Sequence, residues 1–217
     1  MNIQNTQRNA AVPAAGLAAS RRQIVRRTSL LAIVLLLLVA IQLRADSRMY
    51  TIAKGGNNVA EFHAEDTYDS FDGKTSDVSG TIVADPANPT ASSVQIVINI
   101  DSLDTGVSLR NKEMRERYLQ TDKFGTATFK SVSVTGPASI APNQPAEISV
   151  TGDITIHGVT KRMTIPVRVV LIPEGRIHAT SNFKIHMPDF GIDVPHTILV
   201  TVNDEVPVRL DLWAVGK

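Results

Sequence analysis

The residues with which this chain could do chemistry are few, and their spacing argues against most reactions. The five histidines are His63, His157, His178, His186 and His196. None forms a His-x-His or His-Glu-x-x-His pair, the spacings that turn two imidazoles toward one metal ion. His63 and Glu65 stand two apart and so share one face of a strand, opposite Ala60, Phe62 and Ala64. No third ligand accompanies them, so they read as an exposed polar face and no metal site is assigned. The absence of cysteine removes disulfides, thiol nucleophiles and thiolate ligands. There is no Gly-x-Ser-x-Gly elbow, and the carboxylates are scattered over turns and polar faces without an acid–base pair. Asp189-Phe190-Gly191 spells a kinase triplet but lacks the accompanying catalytic loop, and reads as a turn in which Gly191 supplies backbone freedom. No glycine-rich strand-to-helix turn exists, which excludes dinucleotide and P-loop sites. The expectation is a non-enzyme with no catalytic residue, metal or cofactor.

One segment stands apart. Residues 101–120 hold Arg110, Lys112, Arg115 and Arg117 together with Glu113 and Glu116. Here alone the pattern turns helical, with Met114 and Tyr118 four apart on one face. The plain interpretation is a solvated helix of mixed charge. The sharper one is a lid on a cavity, in which Arg110 and Tyr118 meet the polar head of an amphiphile. Arginine suits that role because its planar fork can hold a phosphate or carboxylate with two hydrogen bonds.

Whatever positions this lid is made of strands. From Met49 onward the dominant period is two. Val94, Ile96, Ile98 and Ile100 form one row, Ile148, Val150, Gly152, Ile154 and Ile156 another, and Met163, Ile165, Val167, Val169 and Leu171 a third. Alternation of this kind marks strands with one buried face, and β-branched residues suit a pleated surface. Asp85-Pro86, the prolines between 137 and 145, His157-Gly158, Pro173-Glu174-Gly175 and Asn203-Asp204 punctuate the rows as turns. Strands are expected at 49–54, 58–65, 77–84, 93–100, 126–135, 146–156, 160–172, 176–186 and 197–213. The fold class is therefore all-β and antiparallel. An eight-stranded closed barrel with one short helix would remove sheet edges and could enclose a small ligand. A β-sandwich is the rival, and alternation alone does not separate the two.

The N-terminus is read apart from this domain. Residues 29–41 are almost purely apolar, preceded by Arg21-Arg22 and Arg26-Arg27. The run is shorter than the roughly 20 residues of a membrane span, and Ala45 follows it, so residues 1–45 read as a disordered n-region plus a secretory signal peptide. A retained membrane anchor through residues 29–44 is the alternative. Ser20-Arg21-Arg22-Gln23-Ile24 is similar to a twin-arginine signal, with Ile24 in place of the usual aromatic residue. An exported domain at 46–217, in the periplasm or cell envelope, is expected. Six of the 22 basic residues and none of the 21 acidic ones lie in 1–45, which leaves 46–217 with a formal charge of −5. A net-negative domain without a basic cluster is not expected to bind nucleic acid.

An ordered set of short segments resembles the YceI-like family. They are Phe71-Asp72-Gly73-Lys74-Thr75 with Val78-Ser79-Gly80, then Ile100-Asp101-Ser102-Leu103-Asp104-Thr105-Gly106, then Arg110-Asn111-Lys112-Glu113-Met114-Arg115 with Tyr118-Leu119. Thr126-Ala127-Thr128-Phe129, the run from Gly152 through His157-Gly158 to Thr160, and Asp189-Phe190-Gly191-Ile192 complete it. The resemblance covers nearly all of 49–213. It implies a lipocalin-like, exported eight-stranded barrel whose members include binders of polyisoprenoid chains or related amphiphiles. The expected partner is thus a polyisoprenoid, quinone-like or other long-chain lipid held in the barrel. The chain departs from the family where relatives often carry Asp and His after the helix arginine and this chain has Asn111 and Glu113, and at Gly125, where a proline is common. Inward residues expected to line a lipid tunnel are Phe62, Ile98, Phe129, Ile154, Ile165, Val167, Phe183 and Ile185. A packed core would use the same residue types, so a tethered structural or interaction module is the competing expectation, with a lipid-acting enzyme behind it.

Overall fold

The computed structural model describes residues 47–196 and 200–216. The signal peptide, anchor and twin-arginine motif expected within 1–45 lie outside the described residues. Ten strands follow one another: β1 Arg48–Ile52, β2 Val59–Glu65, β3 Ser70–Thr75, β4 Val78–Ala84, β5 Ser93–Asn99, β6 Thr126–Thr135, β7 Pro145–Ile156, β8 Val159–Ile172, β9 Arg176–His186 and β10 Glu205–Gly216. They pair in the order β1-β4-β5-β6-β7-β8-β9-β10-β2-β3, and β1 also pairs with β10. Every ladder between strands is antiparallel.

Ten segments make eight staves. β1 and β2 occupy successive stretches of the same edge of β10, Tyr50 opposite Gly216 and Phe62 opposite Val208. β3 and β4 continue one another in the same way, pairing with β2 and β1 respectively. The result is a closed eight-strand antiparallel barrel with one short helix, which settles the barrel against the sandwich.

The breaks within staves have local causes. Between β1 and β2, Gly55 and Gly56 both take positive φ, a conformation open to glycine. Between β3 and β4, the Asp77 amide is taken by the Thr75 hydroxyl at 2.9 Å. At His157-Gly158 both residues have positive φ, 51° and 76°, as in the two-residue turns whose twist matches a hairpin.

The observed strands fall within a residue or two of those expected, with two corrections. Ser70–Thr75 is a strand that the sequence did not announce. The last expected strand, 197–213, begins only at Glu205, and the chain before it forms isolated bridges at Asp66–Val202 and His196–Thr201.

Two poles result. One gathers Arg48, Ala84, the 136–144 loop, the Pro173-Glu174-Gly175 turn and Gly216. There Asp85, 2% exposed, closes its turn by accepting from the Ala87 and Asn88 amides at 3.0 and 3.3 Å. The other pole carries the helical insertion between β5 and β6, the β2–β3 turn and the chain between β9 and β10. Between the poles, Ile52, Val78, Val134, Val150 and Ile177 are almost wholly buried.

Candidate functional site

The insertion after β5 forms the roof of the barrel. Helix α1, Ser108–Glu113, passes without interruption into a π-turn at Met114–Tyr118. The expected face is there in altered form: Met114 is buried, Tyr118 is half-buried, and both look into the barrel. Loop 104–106 is fastened to α1 by Asn111. The Asn111 side-chain oxygen accepts from the Thr105 amide at 2.8 Å and the Thr105 hydroxyl at 2.7 Å, and its nitrogen donates to Asp104 Oδ1 at 2.7 Å. The Asn111 amide and the Gly106 backbone amide hold the Asp104 carboxyl below the usual aspartate range. A carboxylate at 111 would face Asp104 with like charge, so the departure from the family pattern at Asn111 fits this loop.

Arg110 is set by the same cluster. Its Nε donates to Thr105 Oγ1 at 2.9 Å and its Nη2 to Thr105 O at 2.8 Å, while its guanidinium lies 4.0 Å from the centre of the Phe71 ring. The stack and the two bonds fix the plane of the fork. Among the described residues Nη1 meets no hydrogen-bond acceptor, and no carboxylate lies within ion-pair distance of the guanidinium. The Tyr118 hydroxyl likewise has no partner among the described residues.

Beneath this roof is a cavity of about 350 Å³. Its wall is Phe62, Phe71, Ile98, Leu103, Met114, Leu119, Ile154, Phe183, Ile185 and their apolar neighbours, and its charged or polar groups are Arg110, Glu113, Tyr118, His196 and Glu61. A second chamber of about 120 Å³ lies deeper, walled by Phe129, Ile165, Val167, Val169, Leu171 and Ile177. Ile98, Ala127, Ile154 and Phe183 border both spaces and form the waist between them. Ordinary cores hold few voids larger than a water molecule. This interior holds two such voids, bordered in common by these four side chains.

All eight residues expected to face a tunnel border one of these chambers. Phe62 and Ile185 lie at the upper one, Phe129, Ile165 and Val167 at the lower, and Ile98, Ile154 and Phe183 at the waist. Arg110 and Tyr118, the expected head-group pair, both line the upper chamber. Sequence reasoning quoted Thr105, Asn111 and Phe71 in the family segments but gave no site role to Thr105 and Asn111, which orient Arg110, or to Phe71, which it stacks on. Phe71 has the weakest signal of the three, a lone aromatic in a short polar segment.

The remaining chemical groups stay apart from the cavity. His63 Nδ1 meets Asp72 Oδ1 at 2.7 Å and its Nε2 lies 3.5 Å from Glu65, all on the outer wall. The hydrogen bond with Asp72 raises the His63 pKa above its ordinary 6.5. His178 is hydrogen-bonded to Asp211 at 2.8 Å and stacked on Trp213, also on the outside. No cluster of three metal-ligating side chains exists among the described residues.

The comparisons agree with this architecture. Crystal structures with the same fold include Burkholderia cenocepacia BcnA, with a TM-score of 0.60 at 24% identity over 72% of this chain and 96% of that one. A polyisoprenoid binding domain from Saccharophagus degradans, implicated in plant cell wall breakdown, has a TM-score of 0.59 at 19% identity over 79% of this chain and all of its own. Protein YceI of Escherichia coli O157:H7 is 33% identical over 153 residues, 67% of this chain and 74% of its own length. The model of the YceI-like domain matches residues 50–214, and the chain belongs to the YceI-like family.

Proposed function

We propose that this protein is a binding or carrier protein for a long-chain amphiphilic lipid, a polyisoprenoid, a quinone-like molecule or a similar chain, held inside the barrel. The observation that carries it is the two-chambered apolar interior, with its cationic and hydroxyl groups gathered under the roof. The hydrocarbon would run from the upper chamber past the waist into the lower one, gaining roughly 0.8 kcal/mol for each methylene removed from water. The polar head would stay beneath α1, where Arg110 offers its uncommitted Nη1 and Tyr118 its hydroxyl. The polyisoprenoid binding domain of Saccharophagus degradans shares the fold and supports the ligand class. A packed interaction module would call for a filled core, and the cavity weighs against it. The exposed outer-wall site of the His63–Asp72 and His63–Glu65 contacts gives no support to an enzyme.

The basic and apolar N-terminal segment supports export to the periplasm or cell envelope, with membrane contact through residues 29–44 if the signal is retained.

Native mass spectrometry of the full chain, produced in an export-competent host and followed by organic extraction, tests the proposal. A stoichiometric adduct of isoprenoid or other long-chain mass is expected. An empty protein that also refuses added quinones and polyprenyl phosphates would overturn it.

A further inference from the structure

The roof of the cavity and its side wall are held in different ways. The roof is tied down. Arg115 Nη2 donates to Leu103 O at 2.8 Å, the Lys74 and Asp104 backbones exchange two bonds of 3.0 Å, and Thr121 Oγ1 donates to Asp101 at 2.6 Å. The wall between β8 and β9 is not. Their ladder runs from Ile172 opposite Arg176 to Arg168 opposite Thr180 and ends there.

The cause is one residue. Continuing the register would pair Pro166 with Asn182. Pro166 has no amide proton to give. Its carbonyl faces β9 and accepts instead from the Ser181 hydroxyl at 2.6 Å. A side chain has taken the place of the next backbone donor, so the ladder is both stopped and capped. Beyond this pair no residue of 159–165 is paired with 182–186 among the described residues. β8 is bonded there to β7, and β9 to β10.

The opposite margin repeats the device. β10 keeps its ladder with β9 through Pro207 to Glu205, but its ladder with β2 stops at Val208 opposite Phe62. The missing amide of Pro207 therefore falls on the β2 side. Residues 184–186 and 205–207 form a short two-stranded ribbon bonded within itself, with no ladder to β8 on one margin or to β2 on the other. The next tie on the β2 side is the Asn203 amide donating to Glu65 O at 2.7 Å. The inner face of the ribbon, Ile185 and Val206, is cavity wall.

We propose that the slit between β8 and β9 is a lateral portal of the cavity. The inference rests on the carrier function above. The ribbon swings where it leaves the β2–β10 ladder at Val208 and Phe183, just beyond the Pro166–Ser181 pair, and a long chain passes sideways between the strands rather than end-on through the roof. On the continued register residues 162–165 of β8 face 183–186 of β9 across the slit, a length of about 13 Å at strand rise, so a chain slips in along its length. Opening the slit breaks no backbone ladder, whereas opening the roof breaks the bonds that fix Arg110. The gate is closed above by the turn at Met187–Phe190, where Asp189 approaches Lys161 at 4.0 Å and Phe190 O meets His157 Nδ1 at 3.3 Å.

The absence of cysteine makes the test direct. Thr164→Cys and Asn182→Cys place single thiols on the outer lips of the slit, and Leu109→Cys places one on the exposed roof. Each full-length variant is coupled to a bulky maleimide, and loading of the fluorescent long-chain polyene cis-parinaric acid is followed by stopped flow. Labels at 164 and 182 are expected to slow loading by about tenfold or more, as obstruction of a gate does, with the bound amount at equilibrium unchanged. The label at 109 should leave the rate as it is. Slowing by the roof label alone, or equal slowing at all three positions, overturns the portal while leaving the carrier function intact. If the unlabelled protein takes up neither this probe nor a polyprenyl phosphate, the carrier function fails and the portal with it.

Discussion

Toward the pole where β1 starts and β10 ends, β8 and β9 are laddered and β1 pairs with both β4 and β10, and the space inside narrows to the smaller chamber. Toward the roof the wall is parted at two prolines, and the interior widens to about 350 Å³. The same strands supply both halves. What changes is who occupies the hydrogen-bonding positions and how much side chain points inward. In the closed half, backbone meets backbone at close range, and the room for a side chain is set by neighbouring main chain. In the open half, the limits on space are set by side chains that can move. Stability is thus concentrated at one end and adaptability at the other.

The glycines sharpen that contrast most. A Cβ on Gly80 would lie 2.2 Å from Gln95 O and 3.1 Å from Ile96 Cα, both main chain of β5. A Cβ on Gly73 would lie 2.1 Å from Phe62 Cε1, a ring with the upper chamber beside it. Gly80→Ala is expected to destabilise by about 3 kcal/mol through overpacking, lowering the melting temperature by roughly 6–12 °C for a domain of this size. Gly73→Ala is expected to cost about 1 kcal/mol or less, because the Phe62 ring can turn into the cavity, and to weaken lipid binding instead. Thermal unfolding and lipid titration on the two variants check the pair. Equal losses of stability would dissolve the distinction between the halves.

Next in size is the head-group position. Arg110→Ala is expected to weaken binding of an anionic or carbonyl-headed chain by about tenfold to a hundredfold, the range for a charge-assisted hydrogen bond. Arg110→Lys should recover little of it, since an ammonium cannot reproduce the two bonds to Thr105 and the stack on Phe71. Isothermal titration with headed and headless chains separates the head from the tail.

A smaller effect is expected from Pro166→Val. It returns an amide donor on the β9 side and lets the ladder advance toward Asn182. Hydrogen exchange should slow at Thr164 and Asn182, and the new amide at 166 should be protected, while 168–172 stay as they were.

The smallest effect is acid sensitivity confined to the roof. The folded-state pKa of Asp104 is depressed below its ordinary 3.8 by Asn111 and the Gly106 amide. Its contribution is present above the ordinary value and is lost as pH falls through the folded one. Loop 104–106 should therefore loosen only below about pH 4, seen as line broadening of the Thr105 and Gly106 amides, with the closed half of the barrel unaffected. Loosening near neutral pH would point to another group.

Much of this was legible in the alternating rows, because a period of two reports which residues face inward. The inward set at Ile98, Ile154, Ile165 and Phe183 follows from that period alone. The period is silent about edges. Met163, Ile165, Val167 and Val169 alternate straight through Pro166, so the row reads as one unbroken strand although its outer ladder is lost there. Strand β3 escaped notice for a related reason. Gly73 takes an inward place that the Phe62 ring already fills, so Ser70–Thr75 lacks the apolar alternation of a half-buried strand. The roof was legible in part. Arg110 and Tyr118 stood out by residue type, but Thr105 and Asn111 act through a hydrogen-bond cluster whose members have no characteristic spacing.

The pairing of Tyr50 with Gly216 brings both ends of the barrel's chain to the pole away from the roof. A reporter protein, an affinity handle or a solid support joined at either end therefore stands clear of Arg110 and of the slit. A cysteine-free barrel with both attachment points behind it can be immobilised with its opening toward solvent and given one thiol at will. It could then serve as an oriented optical sensor for long-chain lipids, with the dye at Thr164 or Asn182 reporting each passage of ligand.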